Sequence, residues 1–332
     1  VKGKSTTKQL ADAIARSEQI VITTHIKADG DGIGSELALR RALRGMGKDA
    51  RVINDTPVPQ PLKFMLDEED EIVFFDPARD RDFILSADLI IVVDVALLYR
   101  LGRLQSFFEA SKAEKICVDH HLEGDDIFSH KLVEPCATST GELVFELLRE
   151  MKCELTPSIA KALYTSIVVD SGCLSYERCV SGTFKIVSEL VEKGANPYEV
   201  HLSLHWQKTL PELKLEGDVI SKLQVRGEVA YSYVKGETAR HLAVDPMEMP
   251  ELVHIPLALG DVEIALLFIE NGGNEIKVSA RSKGRVKVCE LARVFGGGGH
   301  SLAAGFVLEG PLEAAIEKVV GEAVSFLERT AH

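Results

Sequence analysis

Apolar positions in the first half of the chain alternate between two rhythms. Gln19 to Thr24 is a short β-branched run, and Ile33 to Met46 then shows helical periodicity and ends at Gly47. Asp88 to Val95 (DLIIVVDV) and Lys115 to His120 (KICVDH) are two more strand-like runs, with a helix-like stretch from Leu104 to Ala113 between them. Ser139 to Met151 is helical. Thr156-Pro157 pairs a capping threonine with proline at the first helical position of a segment running to about Val169, which places Asp170 at its C-terminal end. Near-continuous apolar strands separated by helices predict a parallel sheet with helices on both faces, the α/β class.

The pattern changes after residue 193. Thr183 to Lys193 and Pro197 to Ser203 are helical and lead into a connector, and strands dominate from Lys222 onward. Leu223 to Val234, Val262 to Ile269 and Lys277 to Arg281 are the expected strands, the last two joined by the hairpin signal Asn271-Gly272-Gly273-Asn274. A helix from Val288 to Phe295 runs into four glycines, and Pro311 to Arg329 closes the chain as an amphipathic helix. The expected organisation is a first domain over 1–193, a helical connector over 194–221 and a smaller α/β domain with a mixed sheet over 222–332.

The 332 residues agree with two domains at roughly 150 residues each. With 45% hydrophobic and 27% charged residues, the composition is that of a globular enzyme. No run approaches the ~20 apolar residues that span a bilayer. Val1 to Arg16 lacks the apolar core of a secretory leader, so a cytoplasmic protein without membrane association is expected. Six scattered cysteines form no C-x-x-C pair and read as reduced thiols. A net charge of -13 argues against an extended track for duplex DNA. Between Glu275 and His300, however, Lys277, Arg281, Lys283, Arg285, Lys287 and Arg293 outnumber Glu275 and Glu290, which suits a short anionic substrate.

Acidic residues and histidines recur where the expected strands end. His25, Asp29 and Asp31 follow the first, Asp94 ends the second, Asp119-His120-His121 ends the third, and Asp170 ends a helix. In an open α/β sheet, ligands bind beyond the carboxyl ends of the strands, so these loops should converge. A lone aspartate after a strand is usually a cap or turn residue. Five carboxylates and at least two imidazoles together would repel unless cations neutralised them. Oxygen ligands mixed with imidazole suit octahedral divalent metals, Mn2+ first, with Mg2+ or Co2+ as substitutes. Two such ions ~3.5–4 Å apart can share a carboxylate and clamp a phosphate. The glycine run Gly296, Gly297, Gly298 and Gly299 has two readings, a helix terminator and a backbone cradle for phosphate.

These residues together resemble the DHH phosphoesterases, named for the triplet Asp119-His120-His121. The H-x-x-x-D-G-D signature is His25 to Asp31, with Ala28 where relatives often carry proline. Asp94 with Arg100-Leu101-Gly102 resembles the second motif, and Val169-Asp170-Ser171-Gly172 the fourth. Phe295 to His300 (FGGGGH) resembles the signature of the associated substrate-binding domain, DHHA1. The resemblance implies that His25, Asp29 and Asp94 hold one metal. It implies that Asp31, Asp94, His120 and Asp170 hold a second, with Asp94 bridging. It makes His121 a phosphate contact or leaving-group acid and Asp119 the residue orienting a neighbouring histidine. Arg281 and Ser282, with Gly296 to Gly299 and His300, are implied in substrate binding.

The implied activity is Mn2+-dependent hydrolysis of short oligonucleotides, RNA or DNA, or of the mononucleotide bisphosphate pAp, by a protein that resembles the small oligoribonuclease and pAp-phosphatase type. A homodimer is a further expectation from the resemblance. The alternatives are a linear or cyclic dinucleotide phosphodiesterase of the same family, and a catalytically silent nucleotide-binding sensor.

Overall fold

The β-branched runs become strands, and their alternate side chains sort onto opposite faces. In the computed structural model, which describes residues 5–121, 124–272 and 274–330, the chain divides into two compact units, Val1–Gln207 and Lys208–His332. The first unit runs α1 (Thr7–Ala15), β1 (Gln19–Thr23), α2 (Gly30–Gly45), β2 (Asp49–Asn54), β3 (Ile72–Phe74), α3 (Pro77–Ser86), β4 (Leu89–Val93), α4 (Leu104–Ala110), β5 (Glu114–Asp119) and β6 (His130–Val133). The helices α5 (Thr140–Glu150), α6 (Pro157–Asp170), α7 (Ser181–Glu192) and α8 (Pro197–His205) complete it. Its strands pair in parallel in the order β3-β2-β1-β4-β5-β6.

Parallel strands need both faces covered. Ile20, Ile22, Ile91, Val93, Ile116 and Val118 pack on one face with residues of α1, α2, α5 and α6. Val21, Ile90, Val92 and Cys117 pack on the other with Phe83 of α3 and Phe108 of α4. This is the period-two alternation of a strand. Thr156 caps α6 through Ile159 N–H, with Pro157 at the first helical position as its sequence implies.

The second unit comprises α9 (Leu210–Ser221), β7 (Gln224–Arg226), β8 (Val229–Val234), α10 (Gly236–Leu242), α11 (His254–Leu257), β9 (Ile264–Glu270), β10 (Glu275–Ser282), α12 (Val288–Val294), β11 (Gly298–Gly299), β12 (Ala303–Glu309) and α13 (Leu312–Thr330). Its sheet order is β11-β12-β10-β9-β8-β7, with β8 and β9 parallel and the other pairs antiparallel, so the sheet is mixed.

The stretch Leu223 to Val234, expected as one strand, is a hairpin of β7 and β8. Gly227 turns it at φ +61°, a left-handed conformation that glycine adopts without steric cost. The Asn271–Asn274 signal does join an antiparallel pair, with Ile276 opposite Glu270; Gly273 itself lies outside the described residues. Within residues 194–221, α8 buries Val200 in the first unit's core, whereas α9 buries Leu215 and Val219 in the second. The division between the units falls between these two helices.

Candidate active site

β1 and β4 are neighbours in the sheet, yet β2 and β3 lie between them in the chain, so the sheet reverses its direction of growth there. Such a switch point opens a crevice at the carboxyl ends of the strands. Thr24 and His25 leave β1 into it, Asp94 follows β4, and Asp119 ends β5 with His120 and His121 behind it. Asp170 reaches the same place as the last residue of α6.

The side chains meet. His25 Nε2 lies 3.4 Å from Asp94 Oδ2. His120 Nε2 lies 3.6 Å from Asp94 Oδ1, 3.7 Å from Asp31 Oδ2 and 3.4 Å from Asp170 Oδ2. Three groups have their ligand atoms within 4.8 Å of one another: His25, Asp29 and Asp94; Asp31, His120 and Asp170; and Asp94, His120 and His121. Asp94 belongs to two of them and touches His120 of the remaining one.

Local structure holds each group in place. Asp94 sits at φ +59°, which a short acidic side chain tolerates better than most. Asp29 caps α2, accepting from Asp31 N–H (3.0 Å) and Gly32 N–H (3.3 Å), and is also one of the converging carboxylates. His25 Nδ1 is 2.9 Å from Ile26 O, which fixes the proton on Nδ1 and leaves Nε2 facing Asp94. The N-terminus of α5 points at Asp31, which accepts from Thr140 N–H (2.8 Å) and Gly141 N–H (3.0 Å) and from the Ser166 hydroxyl. Thr140 Oγ1 also donates to Asp94 Oδ1 at 3.2 Å. Asp119 Oδ1 accepts from the His121 backbone N–H (3.1 Å) and from ring Nδ1 (2.7 Å), so the His121 Nε2 edge is turned away from Asp119.

The electrostatics follow from this crowding. Burial, then Asp170 and Asp29, push Asp31 up to about 7. Burial, then the surrounding aspartates led by Asp31, push Asp94 well above the carboxylate range. Burial and Asp29 bring Asp170 to about 6. Burial lowers His25, and it holds His120 down at about 4. His121 moves upward, chiefly through its hydrogen bond to Asp119. Buried carboxylates that resist ionisation together, beside imidazoles that stay neutral, make a donor set suited to divalent cations. The residues therefore fit two such ions.

The profile of the DHH family N-terminal domain matches residues 19–167, and that of the DHHA1 domain matches residues 226–331. The chain belongs to the DHH/DHHA1 phosphoesterase family. It is accordingly a metal-dependent hydrolase. Among its relatives is the bifunctional oligoribonuclease and PAP phosphatase NrnA of Mycoplasma pneumoniae, 28% identical over 316 residues that cover 93% of each chain. A crystal structure of an exopolyphosphatase-related protein from Bacteroides fragilis superposes with a TM-score of 0.92 at 28% identity, covering 98% of this chain and 97% of that one. RecJ of Thermus thermophilus, solved in complex with Mn2+, shares the fold at a TM-score of 0.54 and 15% identity, covering 97% of this chain and 54% of its own. Among the described residues, no helix of this DHH/DHHA1 protein is long and apolar enough to cross a membrane.

The DHHA1 residues singled out by sequence lie in the second unit. Arg281 on β10 is opposite Ala303 on β12, and Ala303 exchanges backbone hydrogen bonds with His300 (2.7 and 3.3 Å) on its other edge, so β12 lies between Arg281 and the glycine turn. The helix-terminating reading of the glycine run is seen at its first residues, and its last two pair with a strand. Gly296, at φ +75°, ends α12, with Gly297 N–H reaching back to Ala292 O at 2.9 Å. Gly298 and Gly299 form β11, and a Cβ on Gly299 would collide with Ala303 O of the paired strand. Ser282 is buried, with its hydroxyl 2.8 Å from Glu263 Oε1, immediately before β9, and 2.7 Å from Val286 O in the loop that follows β10.

Sequence reasoning passed over Thr140, Gly141 and Ser166, which hold Asp31, and Arg178, which approaches His120 and Asp170. The Ser139 capping signal at α5 was the available clue, because a helix N-terminus that needs a cap also offers N–H groups to an anion.

Proposed function

We propose that this protein hydrolyses phosphate esters of short oligonucleotides, of pAp, or of both, with two divalent cations, Mn2+ by preference. The convergence of the His25/Asp29/Asp94 and Asp31/His120/Asp170 groups, with Asp94 reaching both, carries the reading. His25, Asp29 and Asp94 would hold one ion, and Asp31, Asp94, His120 and Asp170 the other. Bound there, the ions supply Lewis-acid charge against the negative charge that develops at phosphorus and ease deprotonation of water.

The chain's own side chains position and protonate. Three donors orient Asp31, and Ile26 O sets the tautomer of His25. His121 gives its Nδ1 proton to a hydrogen bond with Asp119, which leaves Nε2 to serve the ester. As the bond from the water oxygen to phosphorus forms and the ester P–O bond breaks, His121 in its doubly protonated form passes its Nε2 proton to the departing alkoxide and is left neutral, while the proton shed by the water goes to solvent. In the second unit, Arg281, the glycine turn 296–299 and His300 are assigned to substrate binding, where a guanidinium suits an anion and glycines let a ligand approach the backbone closely.

The two activities in the name of the Mycoplasma relative support the substrate class, and the Mn2+ bound to the Thermus protein supports the metal. The test is hydrolysis, with Mn2+, of pAp, di- to pentaribonucleotides, linear dinucleotides and pyrophosphate by the wild type and Asp94→Ala. Turnover of pAp or short RNA that vanishes in the variant is expected. Intact substrates throughout, or turnover that survives the substitution, would refute the reading. Nucleotide binding without turnover would assign the chain as a sensor.

A further inference from the structure

The loop after α6 carries one cation that the reaction described so far does not use. Arg178 Nη1 lies 3.4 Å from His120 Nδ1, and Nη2 lies 3.5 Å from Asp170 Oδ2. Both contacts are long, neither is bidentate, and the side chain is 43% exposed. Most of the five guanidinium donors therefore face outward at the rim of the carboxylate cluster.

The contact with His120 depends on the tautomer of that ring. His120 Nε2 is the atom that faces Asp31, Asp94 and Asp170. A histidine that binds a cation through Nε2 carries its proton on Nδ1 and donates it to an outer partner. That partner is present: Ala137 O lies 3.4 Å from Nδ1. In this state Nδ1 offers Arg178 no lone pair, and the guanidinium is left with Asp170 on one side and open donors on the other. A planar fork with free N–H groups beside a site for phosphate chemistry matches the geometry of a phosphate oxygen pair.

The same loop presents an aromatic ring. Gly172, Cys173 and Leu174 all have left-handed backbones (φ +56°, +56° and +64°), which folds the loop back so that Tyr176 lies against Gly172. Any side chain at Gly172 would collide with that ring, and the Tyr176 residue is still 51% exposed. Cys179 N–H closes a turn onto Tyr176 O at 2.9 Å, with Arg178 inside it.

We propose that residues 171–180 form a nucleotide subsite within the catalytic unit, in which the Arg178 guanidinium clamps the phosphate beside His120 and Asp170 and the Tyr176 ring stacks on the base. The ligand class is a nucleoside monophosphate unit. The base half rests on the nucleotide reading above; the phosphate half does not.

Calorimetric titration of the full-length Mn2+-loaded protein with inorganic phosphate and with AMP separates the two halves. Arg178→Ala is expected to weaken phosphate and AMP alike by about ten- to a hundredfold, the scale of lost charge-assisted hydrogen bonds, with Arg178→Lys recovering only part. Tyr176→Ala is expected to weaken AMP about fivefold or more and leave phosphate unchanged, with Tyr176→Phe restoring AMP. Mn2+ affinity, measured on the same variants, is expected to stay at the wild-type value. Unchanged phosphate affinity in Arg178→Ala, or a loss of Mn2+ affinity that accounts for the change, would reduce Arg178 to a counter-charge for Asp170 and overturn the clamp. Equal AMP affinity in Tyr176→Ala and wild type would overturn the stack. A wild type that binds phosphate but neither binds AMP nor cleaves any nucleotide would refute the nucleotide reading and the stack together, while the Arg178 variants still decide the clamp.

Discussion

Ser166 is the least conspicuous support of the cluster, and its removal gives a sharp test of how the cluster is held. Its hydroxyl donates to Asp31 Oδ1 from the interior of α6, where the residue is fully buried. Ser166→Ala deletes one of three donors and leaves Thr140 N–H and Gly141 N–H in place, so Asp31 is loosened but not released. A hydrogen bond to a charged group contributes about 1.5–3 kcal/mol. With two donors remaining, the lower end applies, which corresponds to about a tenfold loss of affinity for the ion held by Asp31, His120 and Asp170. The ion at His25, Asp29 and Asp94 should bind as before. Thr165→Val is the control: Thr165 is equally buried, but its hydroxyl bonds Lys161 O at 2.8 Å and touches no residue of the cluster. Calorimetric titration of metal-stripped protein with Mn2+ should show one of two binding steps weakened in Ser166→Ala and both unchanged in Thr165→Val. Two wild-type steps in Ser166→Ala, or an equal loss in Thr165→Val, would show that Asp31 does not depend on this contact.

Asp94→Ala should remove the carboxylate that reaches both groups, abolishing both Mn2+ steps and lowering turnover by about a thousandfold or more, with the far-ultraviolet circular dichroism unchanged. Burial raises the Glu36 carboxyl to about 8, so the folded chain keeps a proton that the unfolded chain releases. Its contribution to stability is therefore full below about pH 4.5 and is lost as pH rises through about 8. Glu36→Gln should flatten the pH dependence of the unfolding free energy, measured by urea titration, by about a few kcal/mol across that window relative to wild type; an identical pH slope in the two proteins would show that Glu36 does not titrate there. Gly34→Ala should destabilise by about 1–3 kcal/mol, offset by up to ~1 kcal/mol of helix propensity, because the added Cβ meets the Ala162 carbonyl where α2 crosses α6. A urea midpoint at or above the wild-type value would mean that the two helices separate without cost.

What could be read from the sequence was whatever local physics does not otherwise explain. The strands that carry His25, Asp94 and Asp119 are apolar, β-branched runs, and charged residues crowded at their ends have no packing role of their own, so their convergence was legible. Thr140, Gly141 and Ser166 each have a sufficient local account, as residues of helices with apolar faces. Only the crossing of α2, α5 and α6 brings them onto Asp31. Ser282 illustrates the opposite direction: its sequence neighbours suggest a substrate contact, whereas its hydroxyl bonds Glu263, nineteen residues earlier. The β7–β8 hairpin was missed because one glycine inside a continuous run of strand formers leaves the period intact on both sides. Asp29 shows why such assignments resist any single reading. It caps α2 as a lone aspartate after a strand ordinarily would, and in that same position it faces His25 and Asp94. Capping fixes the carboxylate by two backbone N–H groups before any cation binds, so the structural role supplies the preorganisation that the chemical role needs.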